Sequence, residues 1–529
     1  MRVKSGKPAA PRRKGQKMKK VLKFLCSRLV IVTLAILVQF CFLLFIVLKL
    51  SSYGLYAYVS LQLVSLVVVL WIVTKQDNPS YKIAWIIAIL IFPIFGGIFY
   101  LGLGNKTMDK KQAQRIRDYA YKQVEESRLA AGADIDDTLG KDAPHLKRQS
   151  DYIRNAGLYP IWKNTQVEYF PLGEDFWEAL LRELRKAEKF IFMEYFIIQE
   201  GKMWNAVLDI MKEKAAAGVD VRLMYDDLGT IQTLPPHYYR QMEEAGIKCA
   251  VFNPFRPRLN SMFNYRDHRK ITVIDGDVGF CGGLNLADEY INAYERYGHW
   301  KDTAVMVRGD AVKSFTMMFL QMWNITERQP EDYAKYLTEK QPGFSRKDGY
   351  IIPYGDSPFD HENVGEEVYF HILNHAKKYV HIMTPYLILD NEMIDALTRA
   401  AKGGIEVQII MPHIPDKPYA FYLAKTYYEE LIAGGVEIYE YTPGFVHAKV
   451  FTSDDDTATV GSINLDFRSL YLHFENGVFI YDNPEVQKVE EDFQNTLAKC
   501  HKVTMTEVRN RSTFVKIYGQ VLRIVAPLM

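Results

Sequence analysis

His268-Arg-Lys270, four residues, Asp275, six residues, then Gly282-Gly283-Leu284-Asn285: this stretch decides how the 529-residue chain is read. It recurs as His447-Ala-Lys449, four residues, Asp454, six residues, then Gly461-Ser462-Ile463-Asn464, with identical spacing. Residues two apart in a strand share a face, so each His and its Lys point the same way. Asp275-Gly276-Asp277 and Asp454-Asp455-Asp456 are turn sequences, which predicts a β-hairpin for each block. The midpoints between His268 and Asn285 and between His447 and Asn464 fall in those turns. Each Asn is therefore expected across the hairpin from its own His.

Outward from the motifs the repeat continues, and strand-like and helix-like segments alternate from about residue 150, which argues for an α/β architecture. Phe190–Ile198 leads through a helical segment to Ala217-Gly-Val-Asp-Val-Arg-Leu-Met-Tyr225; Tyr379–Leu389 leads likewise to Gly403-Gly-Ile-Glu-Val-Gln-Ile-Ile-Met411. Each then reaches a helix ending in Gly and a short strand, at Ala245–Phe252 and Gly434–Tyr441. The offset is 186 for Gly218/Gly404 and 189 for Gly246/Gly435, as expected of a duplicated domain with modest insertions.

Two His, two Lys and two Asn then converge. An ammonium beside each imidazole repels a cation, and no Cys or carboxylate cluster has ligand spacing, so a metal is not expected. Lys270, Lys449, Asn285 and Asn464 suit the non-bridging oxygens of a phosphate. The imidazoles can flank phosphorus, one as nucleophile and one as proton donor to the leaving oxygen. One His-x-Lys-x4-Asp arises by chance on the order of 10⁻⁴ per position, but the doubled, extended motif does not. Asp275 and Asp454 either close their hairpins or orient a His. Glu289 and Glu475 either hold an imidazole N–H or lie on a solvated face. The other ten histidines are assigned to surface or core.

Overall charge is +2, but it is unevenly placed. Residues 1–20 hold nine basic side chains and no acid, 1–128 sum to +16, and 129–529 to −14. Uncharged apolar runs occupy 29–48, 53–74 and 83–104, the third interrupted by Pro93 and Gly96-Gly97. Each is long enough for the ~20 residues that span a bilayer, and no cleavage pattern follows the first, which reads as a retained anchor. Basic residues flank the set on both sides, placing both flanks in the cytoplasm; that needs an even number of crossings, so the third run is expected to dip or lie at the interface, with three full spans the alternative. The boundaries that follow are a basic tail 1–20, a membrane anchor 21–104, a charged helix and linker 105–149, halves at 150–340 and 341–500, and an amphipathic segment 501–529. In the last, Phe514, Ile517, Val521, Leu522 and Val525 recur at helical spacing beside Arg511, Lys516 and Arg523, fitting a lipid surface or the catalytic domain. Five cysteines form no disulfide framework.

Both blocks resemble the duplicated motif of the phospholipase D superfamily. The wider context is similar to the bacterial cardiolipin synthase family from about Ser51 to Met529. Stretches that carry the resemblance include Ala84-Trp85 to Tyr100, Glu194–Ile197, Tyr225–Gly229, His299–Thr303, Asn464–Ser469 and Phe474-Glu475. The resemblance implies paired phospholipase D-type domains with mixed β-sheets, the active site at their pseudo-twofold interface, and membrane helices in front. It implies transfer of a phosphatidyl group between two phosphatidylglycerol molecules, with neither metal nor nucleotide, in the bacterial plasma membrane with a cytoplasmic catalytic domain. His268 would be nucleophile, His447 acid and base, and Glu194 and Asp226-Asp227 would line the site mouth. A hydrolase, or transfer to another alcohol, is the rival chemistry. A nuclease is disfavoured because phosphate-backbone binding wants a basic surface, not −14.

Overall fold

The computed structural model describes residues 52–92, 96–104, 143–255, 264–327, 333–337, 349–360 and 362–528, with Cys41, Phe45 and Leu139. They fall into an N-terminal unit and a larger unit that carries both motifs. In the first, helix α1 (Ser52–Thr74) precedes α2 (Pro79–Ile91), which opens with Pro79 and with the Asn78 side chain accepting the Ser80 N–H at 2.9 Å. α2 stops at Phe92 and the chain resumes as Gly96–Phe99 and a π-helical turn, Tyr100–Gly104. A Cβ on Gly96 would stand 2.6 Å from the Ile89 Cα, so only glycine lets this segment fold back on α2.

Among the described residues no helix is long and apolar enough to cross a membrane. The run 53–74 falls on α1, 83–104 is broken as above, and 29–48 lies outside the described residues apart from Cys41 and Phe45. The basic tail 1–20 and the charged helix at 105–130 also lie outside them. The expected linker is already helical from Pro144, where proline suits the first turn (Pro144–Tyr152).

The larger unit contains β1 (Thr165–Phe170), β2 (Phe190–Tyr195), β3 (Asp220–Asp226), β4 (Lys248–Phe252), β5 (Arg266–Asp267), β6 (Ile271–Ile274), β7 (Val278–Gly282), β8 (His299–Lys301) and β9 (Ala304–Gly309). Then follow β10 (Tyr350–Asp356), β11 (Tyr379–Met383), β12 (Glu406–Pro412), β13 (Glu437–Tyr441), β14 (Gly444–Val446), β15 (Val450–Ser453), β16 (Thr457–Gly461), β17 (His473–Tyr481) and β18 (Cys500–Lys502). One sheet has the order β1-β9-β7-β6-β2-β3-β4 and the other β10-β17-β16-β15-β11-β12-β13, with β18 added at its edge. The orders match strand for strand, which is the duplication in three dimensions. Both sheets are mixed: β2-β3-β4 and β11-β12-β13 are parallel, and the motif hairpins add antiparallel. β2 is buried at every position, as a parallel strand covered on both faces should be. The helix Val312–Glu327 is buried nearly all round because it is covered by both sheets; its Phe319 stacks on Phe192 at 4.6 Å.

Both motifs form hairpins, with one correction. Ile274 pairs with Val278 and Ser453 with Thr457, so the turns have three residues and centre on Gly276 and Asp455. Asp275, Gly276, Asp454 and Asp455 all take positive φ there, between 55° and 72°. An odd turn moves the register by one, so neither Asn lies directly opposite its own His.

Candidate active site

Each histidine leaves its hairpin and joins a strand of the opposite half. β5 pairs in parallel with β17, and the His268 N–H donates to the Phe474 carbonyl at 2.9 Å. β14 pairs in parallel with β8, and the His447 N–H donates to the Lys301 carbonyl at 2.7 Å. This reciprocal crossing is the pseudo-twofold contact.

The crossing gives each imidazole a carboxylate from the other half. His268 Nδ1 lies 2.9 and 3.0 Å from the Glu475 oxygens; His447 Nδ1 lies 2.6 Å from Asp302 Oδ2. Sheet register explains why these two acids correspond. Gly282 faces Ala304, Gly461 faces Gly477, and each acid stands two residues before the faced position. Glu475 also accepts Ser462 Oγ at 2.5 Å and Ser469 Oγ at 2.8 Å, and Asp302 Oδ1 accepts the Thr303 N–H at 2.9 Å. Both carboxylates are wholly buried.

Two buried ion pairs fix the strand under His268: Arg266 to Asp226 at 3.1 Å and Arg269 to Glu194 at 2.6 Å. Asp226 and Glu194 are wholly buried and brace the strand, which corrects their expected place at the mouth; half-buried Asp227 accepts the Phe255 N–H at 2.5 Å. Asp275 accepts the backbone N–H groups of Glu188, Lys189 and Phe190 at 2.7–2.8 Å, and Asp454 those of Lys377, Lys378 and Tyr379 at 2.6–3.1 Å. They tie each turn to the start of the neighbouring strand. Glu289 pairs with Arg296 at 3.1 Å, and Asp302 holds the ring instead.

Lys270 and Lys449 each donate to the carbonyl of the preceding motif His. The Asn285 side chain donates to Tyr290 at 2.8 Å and accepts the Ile197 N–H at 2.9 Å; Asn464 donates to Ser469 at 3.0 Å. Each amide NH₂ has a second hydrogen beyond these bonds.

Burial and crowding of positive charge set the protonation states. Burial, then Lys270, Lys449 and His447, hold His268 well below the usual imidazole range. Burial and Lys449 bring His447 down to about 4, against the pull of Asp302. Burial lowers Lys270 to about 8 and Lys449 to about 7, partly offset by Glu475 and Asp302. Burial alone would raise Asp302, but His447 and Lys449 outweigh it and keep its carboxyl low. Effects of one motif on the other show the two sets sharing one electrostatic site. An anion beside the two ammonium groups would relieve that crowding.

Aromatic rings wall it. Phe196 lies edge-on to His268 at 5.0 Å, and Tyr290, Trp300 and Phe445 surround His447 at 5.3–5.8 Å. His473 occupies beside His268 (5.5 Å) the place that Trp300 takes beside His447. It is buried, which places one of the other ten histidines in the site wall. His268, His473 and Glu475 offer ligand atoms within 4.8 Å of one another, the one such cluster among the described residues. Two adjacent ammonium groups oppose a cation there.

Asp302 is the residue that spacing missed. It follows Asn285 by 17 positions, whereas Glu475 follows Asn464 by 11, so the insertion hides the match. Its only signal was the stretch His299–Thr303.

Comparison with known proteins agrees with the geometry. A family model described as cardiolipin synthase, PLD-like domain, matches residues 180–323 and 369–497. A phospholipase D-nuclease N-terminal model matches residues 63–105. An uncharacterized protein of Streptococcus mutans serotype c is 47% identical, covering 87% of this chain and 99% of that one. Cardiolipin synthase 2 of Bacillus anthracis is 33% identical over 86% of this chain and 88% of its own. Cardiolipin synthase of Alkalihalophilus pseudofirmus is 32% identical over 86% and 90%. Phosphatidylserine synthase of Haemophilus influenzae shares the fold, with TM-score 0.55, 16% identity, and coverage of 72% of this chain and 100% of that one.

Proposed function

The chain belongs to the cardiolipin synthase family of phospholipase D-like enzymes, and from that premise we propose that it joins two phosphatidylglycerol molecules into cardiolipin and glycerol. The observation that carries the reading is the crossed pair of His–carboxylate–Lys sets that act on one another electrostatically. Glu475 takes the Nδ1–H of His268, leaving the Nε2 lone pair to attack phosphorus. The phosphorus–oxygen bond to glycerol breaks, and His447 Nε2 gives that oxygen its proton. A second phosphatidylglycerol then loses its hydroxyl proton to His447; its oxygen attacks phosphorus and the phosphorus–His268 bond breaks. Asp302 stabilises the His447 imidazolium. The bound phosphate raises the proton affinity that the free site depresses, so His447 is charged when needed. Lys270, Lys449, Asn285 and Asn464 hold the non-bridging oxygens, and the aromatic wall disfavours water as acceptor. Phosphodiester is exchanged for phosphodiester, so the reaction is near balance.

The same reading places the chain in the bacterial plasma membrane as a multi-pass protein with its catalytic unit at the cytoplasmic face. Supporting it are the basic flanks and the outward apolar side chains of α1, among them Leu63, Val67 and Leu70, each more than half exposed. Purified protein supplied with phosphatidylglycerol alone should yield cardiolipin and glycerol in equal amounts. Phosphatidic acid as the product would replace this reading with hydrolysis.

A further inference from the structure

The helix Thr513–Val525 docks on the catalytic unit by one side only. Gly519 is the contact: a Cβ there would meet Thr426 Cγ2 at 2.5 Å, so the helix axis lies against the helix Pro418–Ala424. Arg523 anchors it to Glu430 at 3.1 Å and lies over the Tyr427 ring at 4.4 Å; Arg511 donates to the Lys425 carbonyl at 2.8 Å. Leu522 turns inward onto the core. The opposite side carries Phe514, Ile517, Tyr518, Val521, Ile524 and Val525, a continuous stripe at helical spacing. Phe514 is 77% exposed and Ile517 60%. Exposed Tyr419 and Tyr422 of the supporting helix extend the patch, and Tyr422 meets Tyr518 edge-on at 6.1 Å.

Two features identify what covers it. From Val508 to Met529 there are four basic side chains (Arg509, Arg511, Lys516, Arg523) and no acidic one. The supporting helix is capped by Lys417, whose charge acts on His268 and whose ammonium donates to Tyr386 at 2.7 Å. The patch therefore continues, through Lys417, toward the surroundings of His268.

We propose that this helix and the helix Pro418–Ala424 form a platform that lies in the interface of an anionic lipid bilayer and brings the site mouth to the headgroups. Apolar side chains enter the acyl boundary, tyrosines sit at headgroup level, and exposed Lys516 meets lipid phosphates. The neighbouring acids Glu429 and Glu430 are paired with Arg509 and Arg523, so they do not turn an anionic surface away.

The platform rests on a lipid substrate, and the test separates the two. Full-length protein carrying an environment-sensitive fluorophore at Val521→Cys, and separately at Gln520→Cys, is reconstituted in phosphatidylglycerol vesicles containing brominated lipid. The label at 521 should be quenched and blue-shifted, and that at 520 much less. Equal, weak quenching at both, or a 521–521 cross-link between copies, overturns the platform. Ile517→Asp/Val521→Asp should lower turnover of vesicle lipid about tenfold or more. It should leave turnover of monomeric short-chain phosphatidylglycerol within about twofold, since the change spares the site. Equal loss on both substrates overturns the platform. Failure of the unmodified protein to turn over either lipid counts against the proposed reaction alone, because quenching at 521 is read without chemistry.

Discussion

Glu475 and Asp302 carry the most weight at the scale of single residues. Each accepts the Nδ1–H of a histidine in a wholly buried setting, so it selects the tautomer and supports positive charge on the ring. Asp302→Asn, which can present its NH₂ to His447, should lower kcat on the order of a hundredfold or more while KM changes little. Steady-state kinetics on phosphatidylglycerol would check it, and a loss confined to KM would refute it. Labelled lipid should remain covalently bound when His447→Ala is quenched early, and should not bind His268→Asn. Retention of label by His268→Asn would reverse the assignment of nucleophile. The lysines set an alkaline limit. Lys449 at about 7 and Lys270 at about 8 must be protonated to hold phosphate, so kcat/KM of the free enzyme should fall as pH rises through that range.

Hairpins, crossed strands and the terminal helix differ in how far sequence reveals them. The hairpins were legible because turn residues and a period of two specify them locally. Their odd turns were not, because Asp275 and Asp454 adopt the left-handed region only where three backbone N–H groups of another strand surround the carboxylate. Asp454→Ala should therefore cost about 2–3 kcal/mol and several degrees in thermal unfolding, with turnover kept at low temperature. Asp454→Asn, which tolerates positive φ, should lose less. The C-terminal stripe was legible too, except that Leu522 belongs to the buried side. Gly519, which reads as a helix-weakening residue, is what allows the helix to dock.

At the scale of the whole molecule, the near-neutral total hides a region of net −14 that encloses the crossed histidine site. Buried imidazoles and ammonium groups crowd that site, and folding bears the cost. His447 has a folded value of about 4 against an ordinary 6.5, so the unfolded chain binds the extra proton first. Its contribution to stability is complete above 6.5 and is lost as pH falls toward about 4. The unfolding temperature should drop between pH 7 and pH 5, and a bound phosphodiester analogue should raise it at either pH. An unchanged midpoint over that interval would contradict the charge crowding. By itself the sequence determined the duplication, both His-Lys pairs, the hairpins that carry them and the segregation of charge, because those depend on local spacing and composition. Only the tertiary structure decided which carboxylate serves which histidine. His268 and Glu475 are 207 residues apart and His447 and Asp302 145 apart, and strands of opposite halves must cross to bring them together. Such long-range pairing follows from how two sheets close on each other, which no periodicity along the chain encodes.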